Sequence, residues 1–198
     1  MTKIIGLTGG IGSGKTTIAA YLKSLGIPVF IADDEAKKLM QSVAVLAEIK
    51  AVFGEAVFEK GVLNRQELAA IVFSNSNKLA QLNSIIHPAV KQQFEIWLDQ
   101  YQSAPFVVYE AAILFESGSY QNCDYIITIT APLEDRIARV MQRDNSSKEQ
   151  VLNRINVQWT DDQRVAKSDF VIDNSDLQNA KSAIGKILKI LKIQQNED

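Results

Sequence analysis

The chain has 198 residues, 46% of them hydrophobic and 22% charged, with a formal net charge of −2. That is enough apolar material for one sizeable core, and it excludes a polybasic nucleic-acid or membrane binder by bulk electrostatics, though not a local basic pocket. One cysteine and one histidine exclude an internal disulfide, a four-cysteine zinc site and a His-rich metal site.

Taken in order, short apolar runs alternate with helical patterns, the signature of a parallel α/β sheet. Residues 4–7 read as a buried strand and residues 15–25 as a helix, with Gly26 available as a left-handed cap. Residues 29–31 form a second strand. From about 34 to 101 the pattern is all helical and reads as an inserted subdomain, with Asn64 and Glu67 at capping-box spacing and His87-Pro88 starting a helix. Strands follow at 106–109 and 126–129. Pro132 suits the start of the next helix, whose positive end Glu134 and Asp135 complement. Residues 139–167 are helical, polar and rich in arginine, with Ser147 and Gln150 at capping-box spacing, and read as a mobile flap. A fifth strand at 170–172 precedes a helix that carries Ile184, Ile187, Leu188 and Leu191 on one face. No stretch is long and apolar enough to span a membrane, and the start of the chain lacks a signal-peptide pattern, so a soluble cytoplasmic protein is expected.

Between the first strand and the first helix stands Gly9-Gly10-Ile11-Gly12-Ser13-Gly14-Lys15-Thr16, a G-x-x-x-x-G-K-[ST] phosphate loop. Its glycines let successive backbone N–H groups curl inward toward phosphate oxygens, and the helix start adds its positive dipole end. The expected ATP-binding residues are Gly9, Ile11, Gly12, Ser13, Gly14, Lys15, Thr16 and Thr17. Lys15 reaches the β- and γ-phosphates as a point charge from an exposed loop–helix junction, and the Thr16 hydroxyl is placed for Mg²⁺.

Other candidates carry open alternatives. Asp33 follows the second strand, so it is either a base projecting into the ligand cleft or part of a helix cap. Glu110 ends the third strand, where it could hold Mg²⁺ through water, touch the acceptor or be a solvated loop carboxylate. Arg136, Arg139 and Arg143 recur at helical spacing, with Arg154 and Arg164 beyond. They either cover ATP or form a solvated face paired with Glu134, Asp135 and Asp144. Cys123 has no basic activator in the sequence around it and reads as an ordinary small side chain.

The order of motifs resembles the dephospho-coenzyme A kinase family over nearly the whole chain. The resemblance runs through Gly6-Leu7-Thr8 leading into the phosphate loop, Leu25-Gly26-Ile27-Pro28-Val29 leading to Ala32-Asp33, Phe53-Gly54 and Leu63-Asn64-Arg65. It continues through Ile86-His87-Pro88, Leu114-Phe115-Glu116-Ser117-Gly118, Gln142-Arg143-Asp144, Gln158 and Val171-Ile172-Asp173-Asn174. It implies a P-loop NTPase fold: a five-stranded parallel sheet flanked by helices (core about 1–33, 102–138 and 168–198), a helical acceptor-binding subdomain (about 34–101) and a lid (about 139–167). It implies transfer of the γ-phosphate of ATP, with Mg²⁺, to the 3′-hydroxyl of the ribose of dephospho-coenzyme A, the last step of coenzyme A synthesis. Asp33, Lys15, Arg139 and Arg143 would be catalytic, and Thr8, Asp33, His87 and Glu110 would lie at the acceptor. Neither nucleic acid, membrane nor an obligate protein partner is expected.

The chain departs from the family pattern in three places. Ile31-Ala32-Asp33 stands where Asp-Ala-Asp is frequent, Ala112 replaces a frequent proline, and Asp161 sits where a basic residue is frequent. Another small P-loop kinase is the nearest competing function. A GTP-dependent switch would want Asn-Lys-x-Asp, and Asn77-Lys78-Leu79-Ala80 lacks the aspartate. A catalytically silent nucleotide-binding module would be expected to have lost Lys15, Thr16 or Asp33, and all three are present.

Overall fold

A computed structural model describes residues 2–195. The chain forms two compact units, one made of residues up to Ile31 and from Tyr101 onward, the other of Ala32–Gln100. The first unit contains β1 (Lys3–Thr8), α1 (Lys15–Ser24) and β2 (Val29–Ile31). The second contains α2 (Ala32–Leu39), α3 (Val43–Phe53), the short strands β3 (Phe58–Glu59) and β4 (Val62–Leu63), α4 (Arg65–Phe73) and α5 (Ser76–Leu98). The first unit resumes with β5 (Phe106–Glu110), β6 (Tyr125–Thr130), α6 (Leu133–Asp144), α7 (Lys148–Asn156), α8 (Asp161–Val165), β7 (Phe170–Asp173) and α9 (Leu177–Gln195).

The five long strands make one parallel sheet in the order β2-β5-β1-β6-β7. All five apolar runs read from the sequence are strands of this sheet. They are rich in Ile, Val and Phe because a parallel strand is covered on both faces. β1 is central, so its carboxyl end opens between β5 and β6, where chain order changes direction across the sheet; this is where open α/β sheets bind ligands. Register carries side chains to that edge: Leu7 lies opposite Glu110 on one side and Thr8 opposite Thr128 on the other.

One face of the sheet is covered by α1 and α9. Ile18, Ala19 and Leu22 from the first, with Ala180, Ile184, Ile187, Leu188 and Leu191 from the second, close over Ile5, Leu7, Val108, Ile127 and Ile129. This spacing along α9 is the apolar face read from the sequence. Burying a side chain such as Leu22 or Ile184 contributes about 1.5–3 kcal/mol.

The second unit differs from the sequence reading in two places. The expected all-helical stretch contains a β-hairpin, β3–β4, turned by Lys60 (φ 51°) and Gly61 (φ 81°). Two consecutive positive φ values are what a tight two-residue hairpin turn demands. Strands of two residues leave no alternation in the sequence to find. In addition, His87-Pro88 does not start a helix: Pro88 lies inside α5. A proline there costs a backbone hydrogen bond, about 3 kcal/mol. The helix continues through it because Ile85, Ile86, Val90 and Phe94 bury one face on both sides of the proline. Among the described residues no helix is long and apolar enough to cross a membrane.

Candidate active site

The phosphate loop is built by its supports. β1 ends at Thr8 and α1 begins at Lys15, so residues 9–14 must turn between a buried strand and a helix. Three successive loop carbonyls are each held by a side chain from a later part of the chain. Arg136 Nε donates to Ile11 O (2.9 Å), Arg139 Nη1 to Gly12 O (3.4 Å) and Asn174 Nδ2 to Ser13 O (2.8 Å). Arg139 Nη2 also donates to Asn174 O (2.9 Å), which locks these two supports together. Carbonyls fixed by side chains outside the loop leave their peptide units with the N–H ends turned the other way, and a concavity of such N–H groups binds anions. Ser13 is the exception, because its N–H, which shares a peptide unit with the held Gly12 carbonyl, donates to Gly10 O (3.0 Å). The Ile11 N–H, in the preceding peptide unit, donates to Gln158 Oε1 (2.9 Å). Ile11 is therefore clamped at both its amide and its carbonyl.

Two hydroxyls on the loop are buried without a hydrogen-bond partner, Thr8 Oγ1 and Ser13 Oγ. A buried hydroxyl without a hydrogen bond costs about 1–3 kcal/mol.

Lys15 is not at an exposed junction. Its side chain is 11% exposed, and its Nζ lies 3.4 Å from Glu110 Oε1, whose side chain is 5% exposed. The reason is register: β5 delivers Glu110 to the carboxyl edge of the sheet, beside the loop that carries Lys15. Glu110 is thereby a buried, charge-paired residue and not a solvated loop carboxylate. Thr16 and Thr17 expose their side chains on the first turn of α1.

The arginines divide. Arg136 and Arg139 reach the loop. Arg143 is exposed and donates to Asp144 through Nε (2.6 Å) and Nη2 (3.0 Å), while Arg154 Nη1 reaches the same carboxylate at 2.6 Å. Arg143 first, then Arg154, holds the Asp144 carboxyl well below the usual carboxylate range, and the pairing raises the Arg143 guanidinium. Arg164 is fully buried, contrary to the solvated character expected of its segment, and burial pushes its guanidinium below the ordinary arginine value.

In the second unit, Asp33 is the second residue of α2, and His87 lies half-buried within α5. Burial lowers the His87 pKa, so its imidazole is neutral at neutral pH. Cys123 is pushed up to about 12 by burial, with Asp124 adding to the shift. Against an ordinary thiol near 9.0 this leaves about 10³-fold fewer thiolates at pH 8. Folded protein is expected to alkylate slowly with iodoacetamide and urea-unfolded protein at the ordinary rate, as followed by mass spectrometry; rapid labelling of the folded form would contradict this.

A match to the family described as dephospho-CoA kinase spans residues 3–179. The chain belongs to the dephospho-CoA kinase family. A dephospho-CoA kinase from Bacteroides fragilis is 40% identical over 188 residues, covering 94% of this chain and 90% of that protein. One from Bacillus licheniformis is 40% identical and covers 88% of this chain and 89% of its own. Among solved structures, one from Thermus thermophilus matches with a TM-score of 0.88 at 35% identity, covering 96% of this chain and 97% of that one. The dephospho-CoA kinase from Campylobacter jejuni gives a TM-score of 0.71 at 28% identity, covering 98% and 100%. Shikimate kinase from Acinetobacter baumannii, at 16% identity and a TM-score of 0.51, shares the fold.

The supports of the loop in this member of the dephospho-CoA kinase family were only partly visible as sequence. Gln158 and Asn174 belong to motifs of the resemblance, yet nothing in their spacing assigns them to Ile11 and Ser13, which lie 147 and 161 positions away.

Proposed function

We propose that the protein transfers the γ-phosphate of ATP to the 3′-hydroxyl of the ribose of dephospho-coenzyme A. The observation that carries the phosphate half of this reading is the row of loop carbonyls at Ile11, Gly12 and Ser13, each held outward by a side chain, with the nearly buried Lys15 beyond them. The acceptor half rests on family membership.

In the reaction the loop N–H groups not engaged within the protein and the orphaned Ser13 hydroxyl hold the phosphates, and Lys15 neutralises charge as it shifts toward the bridging oxygen. The ribose oxygen forms a bond to the γ-phosphorus, the bond to the β–γ bridging oxygen breaks, and ADP leaves. Asp33 orients the hydroxyl and accepts its proton. Thr8 supplies a hydroxyl on the acceptor side of the loop, with Glu110 and His87 as further acceptor contacts. Arg139 and Arg143 belong to the lid that covers the nucleotide.

Among the described residues no three His, Cys, Asp or Glu side chains cluster to hold a metal. The exposed Thr16 on the first turn of α1 offers a single hydroxyl, a donor set suited to a hard ion that keeps most of its water and takes its other ligands from the nucleotide. Mg²⁺ held there would supply charge neutralisation on the phosphate oxygens.

The test is incubation with ATP, Mg²⁺ and a panel of dephospho-coenzyme A, shikimate, nucleosides and nucleotides, followed by mass analysis. One added phosphate on the ribose of dephospho-coenzyme A is expected. Consumption of another acceptor, with dephospho-coenzyme A untouched, would sink the assignment.

A further inference from the structure

The loop is wrapped around Arg136. Besides its bond to Ile11 O, the Arg136 guanidinium fills the space in which a side chain at Gly10 would stand, and its backbone carbonyl fills the corresponding space at Gly12. Gly12 also sits at φ 80°, so it is closed to other residues for two reasons. The shape of the loop crest therefore depends on where this arginine is held.

Asp161 holds it. Its Oδ2 accepts from Arg136 Nη1 at 2.8 Å, and its Oδ1 accepts from Arg164 Nη1 at 3.0 Å. Arg164 in turn lies 3.6 Å from Glu116 Oε1, which also accepts from the Trp159 backbone N–H at 3.0 Å. The Trp159 ring stacks on Phe115 with centroids 5.4 Å apart and planes within 3°. The chain Glu116–Arg164–Asp161–Arg136 thus alternates in sign, balances two cations with two anions and is anchored at its far end by packing. Arg136 and Arg164 are both buried, and a shared carboxylate is what allows two guanidinium groups to sit there. Asp161 itself makes no hydrogen bond or ion pair to loop residues 9–14 among those found in the described residues.

We infer that Asp161 is a positioning residue for nucleotide binding, acting through Arg136 to set the crest of the phosphate loop. The inference rests on the phosphate-loop reading above. Arg136 uses its planar fork to bond Ile11 O with one nitrogen and Asp161 with another, and that geometry fixes both ends at once. With the carboxylate gone, the guanidinium is free to turn, and the two glycines packed against it follow.

The experiment measures binding of a non-hydrolysable ATP analogue with Mg²⁺ by calorimetry, so no acceptor is needed. D161N is expected to weaken binding about 10-fold or more, the scale on which one charge-assisted hydrogen bond is lost. R136K keeps a cation for Asp161, but its single nitrogen does not span Ile11 O and the carboxylate together, so it is expected to weaken binding similarly while melting near the wild type. The double variant should bind no worse than the weaker single variant, within about 2-fold, because both changes break one device. D161E, which restores the charge, should recover part of the loss. The KM for dephospho-coenzyme A should be unchanged in every variant.

Wild-type affinity in folded D161N, or losses that multiply in the double variant, would overturn the inference. If D161N does not fold, R136K decides: wild-type affinity there overturns it equally. A wild-type chain that binds no nucleotide overturns the phosphate-loop reading itself, and the inference with it.

Discussion

Replacing Lys15 with alanine is expected to lower kcat/KM by at least about 10²–10³-fold, the loss that follows removal of one preorganised group from developing charge. The same change is expected to destabilise the protein, which the sequence reading of an exposed junction did not foresee. Lys15 faces Glu110 at 3.4 Å in a site where both side chains are nearly buried. Taking away the cation breaks a nearly buried ion pair, and breaking buried pairs costs about 3–5 kcal/mol. At about 2–4 °C per kcal/mol for a chain this size, the melting temperature should fall by roughly 6–20 °C. Two roles are entangled here, charge for the phosphate and charge for Glu110, and a second substitution separates them. K15A combined with E110Q should regain most of the melting temperature and none of the turnover. If the double variant recovers activity with stability, Lys15 is a structural counterion and the phosphate must be held by another group. If K15A alone melts like the wild type, the ion pair does not matter in solution.

How far the sequence could be read depended on the distance over which each feature is specified. The five strands were legible because each is a continuous apolar run, and α1 and α9 because their apolar spacing is local. The phosphate loop was legible because its glycines, lysine and threonine are contiguous. The hairpin at Phe58–Glu59 and Val62–Leu63 was not, because two residues per strand carry no period. The helix through Pro88 was misread because local proline chemistry argues for a helix start, and packing of Ile85, Ile86, Val90 and Phe94 overrides it. Arg164 was misread for the opposite reason. A polar, arginine-bearing segment suggests solvent, but a buried guanidinium is tolerated when carboxylates meet it, here Asp161 three residues earlier on the same helix and Glu116 from a distant position. Asp161 stood out in the sequence only as a departure from the family pattern. Its i,i+3 pairing with Arg164 is local, but its bond to Arg136, 25 positions away, is a fact of tertiary structure that spacing along the chain does not encode. Arg143 shows the reverse: its helical spacing with Arg136 and Arg139 was legible, yet only those two reach the loop.

Replacing Asp33 with asparagine is expected to lower kcat by about 10²–10⁴-fold, the contribution of a positioned base, with kcat/KM falling by a similar factor and acceptor binding nearly unchanged. Asparagine keeps the size and can still hydrogen-bond a ribose hydroxyl, but it cannot take the proton. If transfer is loose, with the γ-phosphoryl largely detached before the new bond forms, the proton leaves late and the loss sits at the lower end. The competing reading is a helix cap, and the structure bears on it. α2 begins at Ala32, so Asp33 is its second residue and the capping position precedes it. In the same turn Asp34 pairs with Lys37 at 2.9 Å and Glu35 with Lys38 at 2.6 Å, so those two carboxylates have local structural partners on the helix surface. What asparagine removes at position 33 is a negative charge near the helix N-terminus, worth about 0.3–1 kcal/mol. The melting temperature should therefore drop by no more than about 4 °C. A large kinetic loss beside that small thermal one would mark Asp33 as a group of the chemical step. If D33N instead turns over at the wild-type rate, Asp33 is neither base nor orienting group, and the corresponding measurement passes to Glu110, tested as E110Q in the presence of Lys15.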